Sequence, residues 1–323
     1  MVEVWRTGCT RREARNAAAR LFRDAGIATP DLDARILLCA AAGISHERLI
    51  ADAERSMAPE EAARFASLVE RRVAGEPVSR ICGKREFYGR SFRINAHTLD
   101  PRPDTETLID TILEIADAEG WRGQPLAIAD LGTGSGAILI SLLAAFPLAH
   151  GIGVDVSSEA LEVAAENAAR LGVAARAQFL KGDWLDGLAS ERFDLIVANP
   201  PYIPTREIAG LPLEVKDRDP HLALDGGADG LDAYRRIAAG AAMALRPGGR
   251  IVLEIGMEQA AAVSGLLKES GFVLNSETAV RRDLAGRPRC LVATLQGALR
   301  SAVLPLKKDL EIGEGRASLS LGN

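Results

Sequence analysis

The sequence predicts an α/β protein: an open, mostly parallel sheet of seven strands preceded by a small helical domain. Three observations lead there. From Ala127 to about residue 295, short apolar runs alternate with helical stretches, the rhythm of strand–helix–strand units. A glycine-rich loop, Gly132-Thr133-Gly134-Ser135-Gly136, directly follows the first of these runs. The first 75 residues or so carry helical spacing and no strand alternation.

In the helical part, Thr29 is placed to cap a helix beginning Pro30-Asp31, with Asp31 and Asp33 complementing its dipole and Gly43 stopping it. Leu32, Ile36, Cys39 and Ala40 form its expected buried stripe. A second helix is expected from Pro59 to Val73, ended by Gly75 and Pro77. Residues 1 to 84 hold 14 Lys or Arg against 12 Asp or Glu, so this unit is nearly neutral. Domain boundaries follow: 1–78 helical, 79–100 a β-hairpin linker marked by Gly83 and Gly89, 101–297 the sheet domain, and 298–323 a tail without clear period.

The sheet domain opens with Pro101-Arg102-Pro103-Asp104-Thr105-Glu106, a stiff stretch in which Asp104 or Thr105 can cap a helix through Leu108, Ile112 and Ile115, and which reads equally as an ordinary linker or as a segment folded over a cofactor. Strands are expected over 127–131, 151–156, 177–180 and 193–198. A long irregular loop over 203–229 precedes a helix (231–245), a Pro247-Gly248-Gly249 turn, a strand (250–255), a helix (257–270) and two final strands near 272–279 and 289–295.

Length, charge and cysteine usage restrict the class. The chain has 323 residues, 47% hydrophobic and 26% charged, the composition of a folded globular protein. Its apolar runs are interrupted well short of the ~20 residues of a membrane span. No basic segment followed by a long apolar one opens the chain, so the expected compartment is the cytoplasm, with no membrane partner. Cys9, Cys39, Cys82 and Cys290 are far apart and lack a His at ligand spacing, which predicts incidental thiols and no metal. A net charge of −5 weighs against a direct nucleic-acid partner.

The chemistry is carried by four sites, one after each successive strand. Gly132-x-Gly134-x-x-Ala137 satisfies a dinucleotide fingerprint, and Asp155, about twenty residues on, stands where a ribose-binding acid belongs. Asp130 before the first glycine suits a cationic amino group, Asp183 an adenine amino group, and Trp184 an apolar wall. Asn199-Pro200-Pro201-Tyr202 closes the fourth strand. An isolated tetrapeptide of this kind is equally a proline-rich turn. After a strand end downstream of the glycine loop, it reads as a holder for a planar nitrogen. The Asn199 side-chain oxygen and the Pro200 carbonyl each accept one N–H, the prolines stiffen the loop, and Tyr202 lies against the flat acceptor group. Together the four sites match S-adenosylmethionine better than a dinucleotide, and methyl transfer better than hydride transfer.

The chain resembles the PrmC/HemK family, protein-(glutamine-N5) methyltransferases that modify peptide chain release factors. The resemblance spans residues 10 to 297 and rests on the motifs above together with Gly75-Glu76-Pro77, Gly83-x-x-Glu86-Phe87-Tyr88-Gly89, Asp225-Gly226-Gly227-x-Asp229-Gly230-Leu231 and Asp283-x-Ala285-Gly286-x-x-Arg289. Asp100 departs from it, standing where that family has an aliphatic residue. The resemblance implies a Rossmann-like class I S-adenosylmethionine-dependent methyltransferase domain behind a helical domain that reads the release factor. It also implies that Gly132, Thr133, Gly134, Ser135, Gly136, Asp155, Trp184 and Asn199 contact the cofactor, while Asn199, Pro200, Pro201 and Tyr202 cradle the glutamine of a Gly-Gly-Gln tripeptide. Two alternatives stand beside it: an adenine or guanine amino methyltransferase using the same tetrapeptide, and a noncatalytic binding protein that keeps the fold.

Overall fold

A computed structural model describes residues 8–188 and 191–296; the tail expected over 298–323 lies outside them. The helical unit comprises α1 (Arg11–Asp24), α2 (Pro30–Ala42), α3 (His46–Ala51), α4 (Pro59–Val73) and α5 (Val78–Cys82). A reciprocal capping box starts α1: the Thr10 hydroxyl accepts from the Glu13 amide at 3.2 Å, and the Glu13 carboxylate accepts from the Thr10 amide at 2.8 Å.

α2 has the expected limits, with Gly43 at φ 65° closing it, but two expectations for it fail. Thr29 does not cap the helix; its hydroxyl donates to Asp33 at 2.7 Å, and Asp33 is itself buried against Arg72 of α4 at 2.7 Å. The buried stripe is Ala34, Leu37, Leu38 and Ala41, while Leu32 is exposed. A helix this rich in apolar residues has no unique face by periodicity, and packing against both α1 and α4 selects it.

The linker folds as the hairpin β1 (Lys84–Phe87) and β2 (Arg90–Arg93). Tyr88 at φ 49° and Gly89 at φ 69° make the primed turn that matches strand twist. A strap over 94–105 then leads into α6 (Glu106–Glu119), which buries Leu108, Ile112 and Ile115. Neither Asp104 nor Thr105 caps α6; the chain enters it through a single 3-10 turn, Pro103–Thr105. Asp100 is buried and accepts from the Ser79 hydroxyl at 2.5 Å, with Arg85 at 3.5 Å, so the departure from the family residue is absorbed by a polar tie to α5 and the hairpin.

The sheet domain continues with β3 (Ala127–Leu131), α7 (Ala137–Ala145), β4 (His150–Asp155), α8 (Ser158–Arg170), β5 (Ala177–Lys181) and β6 (Phe193–Ala198). Beyond these come two single helical turns, α9 (Thr205–Ile208) and α10 (Leu213–Lys216), then α11 (Asp232–Ala244), β7 (Leu245–Glu254), α12 (Ala260–Glu269), β8 (Phe272–Val273), β9 (Val280–Arg282) and β10 (Pro288–Leu295). Strand order is β5-β4-β3-β6-β7-β10-β8, parallel from β5 to β7, with β10 antiparallel to β7. β9 adds an eighth strand against β10, where the sequence predicts seven. The expected Pro247-Gly248-Gly249 turn lies inside β7 as an irregularity: Phe193 pairs with Leu245, but Leu195 pairs with Arg250.

One face of the sheet packs on α6, α7 and α8 around Ile109, Leu142 and Phe146; the other packs on α11 and α12 around Tyr234, Ile237 and Val263. The carboxyl ends of β3, β4, β5 and β6 therefore open toward one end of the domain, beside the strand-order reversal at β3 and β6 where such sheets bind ligands. The loop over 203–229 closes over that end and is anchored to the helical unit. Asp219, buried, accepts from Arg80 at 2.6 Å and Arg102 at 2.5 Å, and Glu214 pairs with Arg72 at 2.6 Å. Among the described residues no helix is long and apolar enough to cross a membrane.

Candidate functional site

After β3 the chain turns through Gly132, Gly134 and Gly136 at φ 71°, 55° and 77°, a path that side-chain-bearing residues resist. Gly136 also seats α7: a Cβ there would lie 2.8 Å from Ile140 Cδ1. Beneath the loop Asp130 is wholly buried, its Oδ2 accepting from the Thr133 hydroxyl at 2.7 Å and the Leu139 amide at 3.3 Å. Burial pushes its carboxyl up to about 7, against the pull of those hydrogen bonds. Asp130 thus braces the loop from below and does not line the cavity, contrary to its expected place beside a cationic amino group.

Asp155, ending β4, faces the same loop. Its Oδ2 accepts from the Gly134 amide and its Oδ1 from the Ser157 amide, both at 2.9 Å, and each oxygen keeps a lone pair for another donor. Trp184 adopts φ 58°, an outlier for a bulky residue, and its ring lies over Gly132, where a Cβ would sit 3.5 Å from Cζ3. The neighbouring Asp183 pairs with Arg236 at 2.7 Å.

Gly132, Thr133, Gly134, Ser135, Asp155, Asp183 and Trp184 line a pocket of about 240 Å³ together with Asn199 and Pro201. Further walls come from the hairpin and strap, through Phe87, His97, Leu99, Pro101 and Thr105, and from Pro220, Leu222 and Ala223 of the long loop. The strap therefore does fold over the pocket. Gly136, Pro200 and Tyr202 do not line it. The Tyr202 side chain packs against the α11–α12 core, where burial pushes its phenol up to about 12.

The Asn199 loop is held by groups far away in sequence. Asn199 Nδ2 donates to the Thr105 hydroxyl at 3.1 Å. Gln259 Nε2 donates to the carbonyls of Tyr202 at 2.9 Å and Gly230 at 3.0 Å. Gly226 and Gly230 permit this contact: a Cβ on Gly226 would lie 2.9 Å from the Pro201 carbonyl oxygen, and one on Gly230 2.4 Å from that of Tyr202. Arg289 reaches Asp104 at 2.8 Å, joining the last motif to the strap. Glu254, at the end of β7, is buried beside Thr105 and Tyr202. Desolvation pushes its carboxyl up to about 7, opposed by Thr105, Arg289 and Tyr202. Sequence reasoning missed Gln259 and Glu254, which carry no motif.

The pocket's chemistry fits S-adenosylmethionine: the left-handed Gly132 and Gly134 admit close approach of a charged tail, Asp155 retains acceptor capacity, and Trp184 supplies an apolar wall. With the strand order above, these features define a class I S-adenosylmethionine-dependent methyltransferase. A family profile described as a methyltransferase domain matches residues 124–274, and one described as the PrmC N-terminal domain matches residues 13–83. The release factor glutamine methyltransferase of Bradyrhizobium diazoefficiens is 48% identical over 287 residues, 89% of this chain and 95% of that protein. That of Moorella thermoacetica is 44% identical, covering 88% and 98% respectively. Among solved structures, the catalytic domain of hMettl16 in complex with MAT2A 3'UTR hairpin 6 aligns over 76% of this chain and 84% of its own, with a TM-score of 0.51 and 17% identity, a likeness of fold alone. The chain belongs to the release factor glutamine methyltransferase family.

Proposed function

We propose that this protein methylates the side-chain amide nitrogen of the glutamine in the Gly-Gly-Gln motif of peptide chain release factors. The observation that carries the reading is the convergence of the glycine loop, Asp155, Trp184 and Asn199 on one pocket roofed by the strap and the long loop. When bound, S-adenosylmethionine supplies an electrophilic sulfonium methyl and its own leaving group. An amide nitrogen is a poor nucleophile because its lone pair is delocalised, so the protein's task is positioning. Gly132 to Gly136 and Asp155 hold the cofactor, with Trp184 as its wall. The Asn199 oxygen and the Pro200 carbonyl accept the two amide N–H groups, which orients the nitrogen and favours its pyramidal form as the bond develops. Pro201 shapes the pocket beside them. Tyr202, half-buried against core residues, anchors this loop.

The helical unit is proposed to read the release factor, its position being coupled to the pocket through Arg80, Arg72, Asp219 and Glu214. The test is transfer of labelled methyl to a purified release factor, run beside its Gln→Asn variant, duplex DNA and ribosomal RNA. Label confined to the intact factor is expected. Label on nucleic acid would overturn the substrate and leave the fold assignment standing.

A further inference from the structure

Pro200 and Pro201 carry no N–H, so the stretch from Asn199 to Tyr202 has only two backbone donors of its own. It has little means of fastening itself by donating, and its carbonyls need donors from elsewhere. The Tyr202 carbonyl finds one in Gln259, 57 positions later in the chain, at 2.9 Å. The neighbouring Pro201 carbonyl is packed against Gly226, where a Cβ would lie 2.9 Å from its oxygen.

Gln259 opens α12, and its own backbone is fixed on both sides. Its amide donates to the Gly256 carbonyl and its carbonyl accepts from the Val263 amide, each at 3.0 Å. Its side chain makes no capping bond to the helix and turns back toward three separate stretches of chain. Nε2 gives one hydrogen to the Tyr202 carbonyl and the other to the Gly230 carbonyl at 3.0 Å, while Oε1 accepts from the Gly256 amide at 3.0 Å. A carbonyl only accepts and an amide N–H only donates, so these partners admit one orientation of the Gln259 amide and use both of its hydrogens. Two glycines make room for it: a Cβ on Gly230 would lie 2.7 Å from Nε2, and one on Gly256 2.8 Å from Oε1. From the Tyr202 carbonyl back to Asn199 the chain runs through two prolines whose φ is locked, which leaves little slack between the held end and the pocket.

We infer that Gln259 is a positioning residue for methyl transfer, clamping the far end of the acceptor loop to the start of α12 so that Asn199 and the Pro200 carbonyl keep their place. The inference rests on the proposed reading of those two groups as the holders of the glutamine amide. It also gives a task to the Asp225-Gly226-Gly227-x-Asp229-Gly230-Leu231 motif, whose Gly226 and Gly230 are the surfaces on which the Pro201 and Tyr202 carbonyls close.

The test compares full-length wild type, Gln259→Met and Gln259→Glu for methyl transfer to a release factor and for S-adenosylmethionine binding by calorimetry. The calorimetric stoichiometry counts folded protein, so kcat is expressed per binding-competent molecule. Gln259→Met keeps the length of the side chain and makes none of the three bonds. Its kcat is expected to fall between about 10- and 100-fold, the scale of a misplaced reacting group. Gln259→Glu keeps the acceptor for Gly256 but turns lone pairs toward two carbonyl oxygens, and is expected to fall further. Cofactor affinity is expected to change little in both, because Gln259 does not line the pocket. Wild-type kcat in Gln259→Met overturns the clamp. So does a loss of cofactor affinity that matches the loss of turnover, which would mark Gln259 as a support of the whole domain. A wild type that transfers no methyl to the release factor contradicts the reading of Asn199 and Pro200 and takes the clamp with it, an outcome distinguishable because it precedes any comparison of variants.

Discussion

The two halves of the pocket each rest on a buried carboxylate pushed up to about 7 by desolvation, Asp130 under the glycine loop and Glu254 under the Asn199 loop. They differ in where its partners come from. Asp130 takes its hydrogen bonds from within nine residues of itself, from Thr133 and the Leu139 amide. Glu254 draws on Thr105, Tyr202 and Arg289, from the strap, the β6 loop and β10. The cofactor half is thus a local structure, one loop and the acid of the next strand. The acceptor half is assembled from five separate stretches of chain, and it is joined to the helical unit through Asp219. A methyl donor common to many enzymes is held by a local motif, while the acceptor-holding loop is held by the tertiary fold.

The largest way to disturb this division is to cut the tie between the helical unit and the long loop. Asp219→Ala leaves Arg80 buried without its charge partner and is expected to cost about 3–5 kcal/mol in denaturant unfolding; a cost under about 1 kcal/mol, the range of an exposed pair, would show that the tie does not matter. Next comes Gly230→Ala, whose Cβ would lie 2.4 Å from the Tyr202 carbonyl oxygen at φ 79°. Turnover is expected to fall about 100-fold as the Asn199 loop shifts, with cofactor affinity retained, because Gly230 does not line the pocket. Equal losses of affinity and turnover would mean the halves are not separable.

A smaller effect concerns pH. Asp130 and Glu254 have unfolded values of 3.8 and 4.5 and folded values near 7, so the folded state prefers both protonated. Their contribution to stability is therefore full below about 4 and lost as pH rises to 7, at up to about 1.4 kcal/mol per pH unit for each group. Asp155 faces the first; Arg289, Asp104, Tyr202, Tyr234 and Cys290 face the second. Unfolding free energies from pH 4 to 8 should decline less steeply in Asp130→Asn and Glu254→Gln than in wild type, and identical slopes would refute the assignment.

The same contrast explains what the sequence revealed. Glycines at 132, 134 and 136, Asp155 and Trp184 could be placed on one loop system because strand alternation alone positions them. Asn199 was legible as the end of a strand. Gln259 and Glu254 were not, since an ordinary glutamine after a strand and a glutamate within one carry no signal until the fold brings them to Tyr202 and Thr105. The direction of the Tyr202 ring was not legible, because residues flanking a stiff Pro-Pro turn give no indication of which way a ring points. In α2 the failure was of the same kind: where nearly every residue is apolar, only the neighbouring helices decide which side is buried.

The separation of the two halves is tested most directly by crossing Asn199→Ala and Asp155→Ala against two readouts, S-adenosylmethionine affinity by calorimetry and methyl transfer at saturating cofactor. Asn199→Ala is expected to lose most turnover and little affinity. Asp155→Ala is expected to lose about 1–3 kcal/mol of affinity, the worth of hydrogen bonds to a charged group, and to recover turnover once cofactor is saturating. Parallel losses in both readouts for both variants, or unchanged turnover in Asn199→Ala, would contradict the account.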